Sequence, residues 1–351
     1  LGVRLVPRRI DARWIGRALA VLLLAAIVYV TVAVGILAVS LVLLRRGIAP
    51  ALPWIDRVQQ QLYFEGIRRV WPAEPECAEF DETLIYRPRI GSCRFDNPEF
   101  RTTMTFTADG RETGPKPAGM GIAVLGDSHA MGWGVNDEET FAAELQRLTR
   151  RPVFNLAVSS YGTRRELIRF DRSGLGDRVD TVVIQYCEND LDENLGFRIE
   201  SAEETRRKFR SIGEAVSGRA RTFGSLPFVA ERLSFTLRAP VTILRELVFP
   251  ARRPDFSAHY PALMAALAEY PVLGAKRVLV FYSNSRGSRF VNYPGPPDAG
   301  GGRVEFLDLA LQPSDYYRVD DHLTPDGHRK VARLLFQSLQ APVAGGPSAA
   351  P

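Results

Sequence analysis

Residues Gly121 to Gly134 read GIAVLGDSHAMGWG. The first five form an unbroken apolar run, the pattern of a strand buried on both faces. Gly126, Asp127 and Ser128 end that run, and Gly132 and Gly134 follow. Any turn uses such residues. The fold therefore has to be read from what stands on either side.

Downstream, the segment NDEETFAAELQRLTR has helical spacing behind a cap-type Asn136-Asp137 pair. PVFNLAV reads as a second strand, TRRELIRF as a helix and VDTVVIQY as a third strand. HYPALMAALAEY is a helix, and KRVLVFYS and RVEFLDLA are strands four and five. Alternating strands and helices predict parallel βαβ units in an α/β, doubly wound sheet. A closing helix has Thr324 as cap, Pro325 at its first position, and Val331, Leu334, Leu335 and Leu339 as its apolar face. The segment from 196 to 257 breaks the alternation and reads as a helical insertion with exposed Arg. It could form a lid or a packing appendage remote from any site.

Upstream, Ala18 to Leu44 contains no charged residue. At about 1.5 Å per residue that run spans a hydrocarbon core of about 30 Å with some tilt. It is longer than the apolar region of a secretory signal, about 7–15 residues, and reads as a retained anchor. Arg4, Arg8, Arg9, Arg13 and Arg17 precede it, against Arg45, Arg46 and Arg57 after it. This bias predicts a single pass with the N-terminus cytoplasmic and the remainder periplasmic or extracellular. Between Pro75 and Gly119 lie short β-like pieces with many turn residues, a membrane-proximal collar or an edge of the main domain. Cys77 and Cys93 lie within it. In an oxidising compartment they could pair, the alternative being two free thiols.

The chain has 351 residues, 46% of them apolar, and a formal charge of +5. Much of the Arg excess sits near the N-terminus and no basic stripe with interleaved aromatics stands out, so nucleic acid is not an expected partner. No Cys/His spacing suits a metal, and no organic cofactor is implied.

In open parallel sheets ligands bind beyond the carboxyl ends of the strands. Four polar clusters fall there: Gly126-Asp127-Ser128, Asn155 to Thr163, Cys187 to Asp190, and Val319 to His328. A nucleophile, an imidazole with nearby carboxylates and an amide thus converge on one edge.

This set resembles the SGNH, or GDSL-type, hydrolase and acyltransferase superfamily over roughly Gly121 to Leu339, the insertion excepted. The resemblance implies a flavodoxin-like three-layer α/β sandwich with a parallel sheet of about five strands, here joined to one transmembrane helix. The loop GDSHAMGWGV followed by NLAVSSYGT is similar to membrane-associated and periplasmic members linked to polysaccharide O-acetylation or deacetylation. By position Ser128 matches the nucleophile and His322 its base. Asn189 matches the oxyanion-hole amide, with the Ser128 N–H as a further donor. Many members carry the acid three residues before the His, where this chain has Val319. Asp320 is the expected acid and Asp321 the alternative. The second motif has Ser160 where Gly is usual, so Ser160 or Gly162 is the backbone donor. Cys187 replaces the usual Gly two before Asn189, which would narrow the pocket.

His129 and Trp133 are candidate substrate contacts. His129 adjoins Ser128, but adjacent side chains diverge; Trp133 packs a sugar ring or plugs its own loop. Asp127, Asp190 and His328 read as structural. The expected division is a cytoplasmic tail at 1–17, a transmembrane helix at 18–44, and a linker with the β-rich segment at 45–119. The hydrolase-like domain follows at 120–340, with a disordered tail at 341–351. The expected function is an extracytoplasmic, inner-membrane-anchored serine esterase acting on small acyl groups, acetyl above all, of an envelope or exported glycan. The alternatives are a polysaccharide O-acyltransferase using the same triad and a noncatalytic glycan-binding module. Envelope polysaccharide machinery is the macromolecular partner this implies.

Overall fold

The computed structural model describes residues 12–249, 256–284 and 304–341. The tail expected at 1–17, up to residue 11, the end of the insertion at 250–255, and the tail expected at 341–351, from residue 342, lie outside the described residues. In chain order the elements open with helices α1 (Ala12–Arg45) and α2 (Pro53–Leu62). Strands β1 (Ala78–Asp81), β2 (Ile85–Pro88), β3 (Gly91–Asn97), β4 (Phe100–Thr107) and β5 (Gly110–Arg111) follow. The alternating part starts with β6 (Gly121–Leu125), α3 (Ser128–Met131), α4 (Phe141–Thr149), β7 (Val153–Asn155), α5 (Thr163–Arg172) and β8 (Val179–Tyr186). After it come α6 (Asp190–Gly196), α7 (Ala202–Thr222), α8 (Leu226–Val248) and α9 (His259–Ala268). The chain closes with β9 (Arg277–Tyr282), β10 (Val304–Leu307) and α10 (Pro325–Gln340).

These elements form two compact units. One takes the residues up to 66 together with those from 222 to 249; the other takes the rest. In the first, α1 has 34 residues, about 50 Å of helix at 1.5 Å per residue. It is long and apolar enough to cross a membrane, and Leu22, Leu23, Ile27 and Val28 on it are exposed. Helix α8 packs against α1 and α2. The Trp54 indole donates to Thr236 O at 2.9 Å, and Arg232 Nη1 donates to Gln61 Oε1 at 2.8 Å. The insertion is thus divided between the units. Helix α7 belongs almost wholly to the second, where Phe209 meets Phe80 of β1 with ring centroids 6.0 Å apart.

The second unit is built on an eight-stranded sheet in the order β10-β9-β8-β6-β7-β5-β4-β3. Strands β10, β9, β8, β6 and β7 run parallel. Counted from β6 this is the flavodoxin-like strand order. Strands β5, β4 and β3 extend the sheet antiparallel. The division expected at 119/120 therefore falls inside one sheet, because Arg111 pairs with Asn155 across it. Gly110 permits that join: at φ +104, a Cβ on it would stand 2.2 Å from Asn155 O.

Successive side chains of a strand point to opposite faces. Ile122 and Val124 accordingly join a core with Phe141, Leu145, Val331 and Leu335 of α4 and α10. Ala123 and Leu125 join another with Leu167, Phe170 and Leu263 of α5 and α9. The result is three layers. Each such Leu, Val or Phe contributes roughly 1.5–3 kcal/mol by burial. Hairpin β1–β2 stands outside the sheet, and a Cys77–Cys93 disulfide ties its start to β3. Cys187 is a buried free thiol.

Candidate active site

Strand β6 delivers the chain into a turn built around Gly126, at φ +145. A Cβ there would lie 2.6 Å from Ala130 Cβ and 2.8 Å from Gln185 Oε1. The missing side chain lets Gln185, buried on β8, clamp the turn. Its Oε1 accepts from Asp127 N at 3.1 Å and Ala130 N at 3.3 Å. Asp127 caps α3 by accepting from His129 N at 2.8 Å, and burial pushes its carboxyl above the ordinary range. Ser128 is the first residue of α3 and is half-buried.

The Ser128 hydroxyl lies 2.8 Å from His322 Nε2, and His322 Nδ1 lies 2.6 Å from Asp320 Oδ1. An ionised carboxylate only accepts, so Nδ1 carries the proton and Nε2 is left to accept from Ser128. Ser128, His322 and Asp320 thus form a relay that can move a proton off the hydroxyl. Asp320, not Asp321, faces the imidazole; Asp321 follows it at φ +68.

Three residues that the sequence did not single out hold this relay. Glu99, between β3 and β4, accepts from the backbone N–H groups of Arg318 at 2.8 Å and of Val319 and Asp320 at 2.7 Å. Its carboxyl is pushed up by burial, against the pull of these donors. Arg111, fully buried on β5, donates to Met131 O, Gly132 O and Val135 O at 2.7, 2.5 and 2.6 Å and pairs with Asp137 at 3.0 Å. It thereby fixes the loop carrying Trp133. Gln185 is the third.

Trp133 is not at the surface. It is buried against Phe95 and Phe100, and its indole N–H donates to Asp320 Oδ2 at 3.1 Å. This removes it as a sugar platform. His129 is also buried, stacked on His322 at 4.7 Å between centroids. Burial, with the charges of His322, His328 and Arg68, pushes its pKa well below the ordinary value, so a neutral ring lies against His322. His328 is buried too and accepts from Phe141 N at 3.1 Å.

The second and third motifs are tied together. Asp190 Oδ1 accepts from Thr163 N at 2.6 Å, and its Oδ2 accepts from Cys187 N at 2.5 Å. Burial raises the Asp190 carboxyl well above its usual range, as it does that of buried Glu166. Glu193 Oε2 accepts from Gly162 N at 3.0 Å, so that N–H is already engaged. Ser160 is exposed and adopts φ +61, the left-handed conformation a Gly would take freely. Asn189 is exposed at the start of α6, and its amide makes no capping bond. The Cys187 thiol lies 3.5 Å from Asn284 Oδ1, and burial raises its pKa well above the ordinary value. Among the described residues no group of His, Cys, Asp and Glu is arranged to hold a metal ion.

Fold and site together define a hydrolase-type α/β unit with a Ser-His-Asp relay at the carboxyl edge of its sheet. The family model for GDSL-like lipase/acylhydrolase matches residues 122–335, and the chain belongs to that family. No curated protein sequence matches the chain significantly. Solved structures similar in fold include a family two carbohydrate esterase from Clostridium thermocellum in complex with cellohexaose. That match has 14% identity and a TM-score of 0.38, covering 66% of this chain and 66% of the other. Another is Axe2, an acetylxylan esterase from Geobacillus stearothermophilus, at 13% identity and a TM-score of 0.33, covering 65% of this chain and 97% of the other.

Proposed function

We propose that the protein is a membrane-anchored serine esterase that removes small acyl groups, acetyl above all, from an extracytoplasmic glycan. The hydrogen-bonded run from Ser128 through His322 to Asp320, at 2.8 and 2.6 Å, carries this reading. Ser128 Oγ attacks the ester carbonyl while His322 Nε2 takes its proton, and Asp320 holds the imidazolium. The Ser128 N–H, the Ser160 N–H and the Asn189 amide receive the oxyanion, each such donor being worth about 2.7–4 kcal/mol. The tetrahedral intermediate collapses to acyl-Ser128 and releases the sugar hydroxyl, which takes the proton from His322. Water, deprotonated by His322, then frees the carboxylate and regenerates Ser128.

The substrate class rests on the likeness of the GDSHAMGWGV and NLAVSSYGT loops to family members of polysaccharide O-acetylation and deacetylation. Helix α1 supports the anchor, and the excess of Arg before it supports an outward-facing enzyme. Turnover of 4-nitrophenyl acetate and of an acetylated oligosaccharide by the purified chain tests the reading. Ser128→Ala is expected to lose at least about 1,000-fold in kcat. A Ser128→Ala rate equal to wild type would overturn it. Adding an unacetylated oligosaccharide separates hydrolysis from transfer: esterase action gives free acetate, and an acetylated acceptor as the main product overturns the hydrolase assignment in favour of an O-acyltransferase.

A further inference from the structure

The oxyanion donor assigned to Ser160 has an unusual position. Its φ of +61 is one that a residue with a Cβ adopts only when the surroundings hold it there. Two side chains do so. Tyr86 Oη donates to Ser159 O at 2.7 Å, and Arg165 Nη2 donates to Ser160 O at 2.6 Å. Ser159 O and the Ser160 N–H belong to one planar trans peptide and point in opposite directions. A hydroxyl fixed on the oxygen therefore aims the N–H. Donation into the carbonyl also polarises the amide and makes its N–H a better donor.

We propose that Tyr86 is a positioning residue for the oxyanion hole, acting through the Ser159–Ser160 peptide, with Arg165 locking the next carbonyl. The inference rests on the serine-esterase reading above. Tyr86 itself is rigidly placed. It is buried on β2, within 5.4 Å of the Tyr161 ring centroid and 6.3 Å of Trp71. The Tyr161 hydroxyl donates back to Tyr86 O. The hairpin carrying Tyr86 is pinned at its start by the Cys77–Cys93 disulfide and by Arg89 N donating to Cys77 O at 2.8 Å. Arg165 pairs with Glu193 through Nε at 2.8 Å and lies over the Tyr161 ring at 4.6 Å, so its fork has little freedom. The segment before the alternating fold thus reaches the Ser159–Ser160 peptide through the Tyr86 hydroxyl, as it reaches Asp320 through Glu99.

The test is Tyr86→Phe in the full chain, which keeps the ring and removes only the donor. The expected result is a kcat about 10-fold lower, the scale of one net hydrogen bond, with KM unchanged. Affinity for a small alkylboronic acid, which forms a tetrahedral adduct on a serine hydroxyl, falls by the same factor. Thr113→Val serves as comparator. It removes a buried hydroxyl that donates to Val153 O at 2.9 Å, and it lowers stability without changing kcat. Arg165→Lys, which keeps a charge facing Glu193 but loses the fork, gives the same kcat-selective loss and replaces Tyr86→Phe if that variant does not fold. Wild-type kcat in the folded variant, or a change in KM alone, overturns the positioning role. Ser128→Ala separates the two failures. If it is as active as wild type, the serine-esterase reading fails first. If it is inactive while Tyr86→Phe keeps wild-type kcat, only the role of Tyr86 fails.

Discussion

The Trp133 indole N–H donates to Asp320 Oδ2 at 3.1 Å while Asp320 Oδ1 faces His322 Nδ1 at 2.6 Å. One carboxylate is thus held from behind by a buried ring and aims its other oxygen at the His322 imidazole. Trp133→Phe keeps a ring between Phe95 and Phe100 but removes the donor. A hydrogen bond to a charged group is worth about 1.5–3 kcal/mol, so kcat is expected to fall by 10-fold or more. KM should change little, and the melting temperature should fall with kcat, since the same bond is lost from the folded state. Steady-state kinetics with 4-nitrophenyl acetate check this, and an unchanged kcat would show that the indole only fills space.

The parallel strands, and the candidate residues that the structure brings together, were legible because each is written in a local pattern. Apolar runs marked β6 and β8, with Gly126-Asp127-Ser128 and Asn189 where those runs end, and His322 stands just before the capped start of α10. The supporting residues were not legible because their partners lie far along the chain. Glu99 meets Asp320 across a separation of 221 residues, and Tyr86 meets Ser159 across 73. The order β7-β5-β4-β3 brings Glu99 to the site, the Cys77–Cys93 link holds the hairpin of Tyr86 to β3, and periodicity encodes neither. Trp133 and His129 show another limit: a polar aromatic in a glycine-rich loop reads alike whether it faces solvent or core. Helix α8 shows a third, because an amphipathic pattern states that a face is covered but not by what.

Arg111 makes a second test of support from the added strands. Its guanidinium is fully buried, pairs with Asp137 and donates to three carbonyl oxygens of residues 131–135. Arg111→Met leaves those acceptors and the carboxylate without their donor. Breaking a buried pair from one side costs about 3–5 kcal/mol, and a urea midpoint shifted accordingly is the expected outcome. A shift within about 0.5 kcal/mol, the range of ordinary surface changes, would show that water replaces the guanidinium.

The disulfide stabilises mainly by restricting the unfolded chain. Cys77 and Cys93 are 16 residues apart, and a loop of about 15 residues corresponds to about 3 kcal/mol. The Cys77→Ser/Cys93→Ser double variant should lose that much in a denaturant titration under oxidising conditions. Wild type should match the double variant once dithiothreitol is added. A wild-type midpoint indifferent to reductant would show that the hairpin is held by its packing alone.

Helix α1 has an equally direct test. Arg at the centre of a spanning helix costs about 2.5–3.5 kcal/mol on insertion scales. Ile27→Arg with Thr31→Arg therefore opposes insertion by roughly twice that. The wild-type chain should resist alkaline carbonate extraction from membranes and the double variant should not. Release of the wild type by carbonate would remove the anchor from the proposal.

Acid stability follows from His328. Burial, then the charges of Arg111 and His322, hold its pKa down to about 3, against an ordinary 6.5. Phe141 N donates to its Nδ1 at 3.1 Å, which requires that nitrogen unprotonated. Between pH 6.5 and about 3 the unfolded chain therefore binds a proton that the folded chain refuses. The stability from this group is complete above pH 6.5 and falls by up to about 1.4 kcal/mol per pH unit as the solution is acidified through that window. His129 acts in the same direction, its pKa being pushed well below 6.5. Buried Glu166 and Asp190 act oppositely: their raised values mean that stability is lost as pH rises through them. Comparing wild type with His328→Leu isolates the one group. The variant should be less stable at pH 8, by about 1–3 kcal/mol for the unpaired Phe141 N–H. The two curves should converge and then cross as the pH falls toward 4, since the variant lacks the titration. Parallel curves from pH 8 to pH 4 would show that His328 carries its proton in the folded protein.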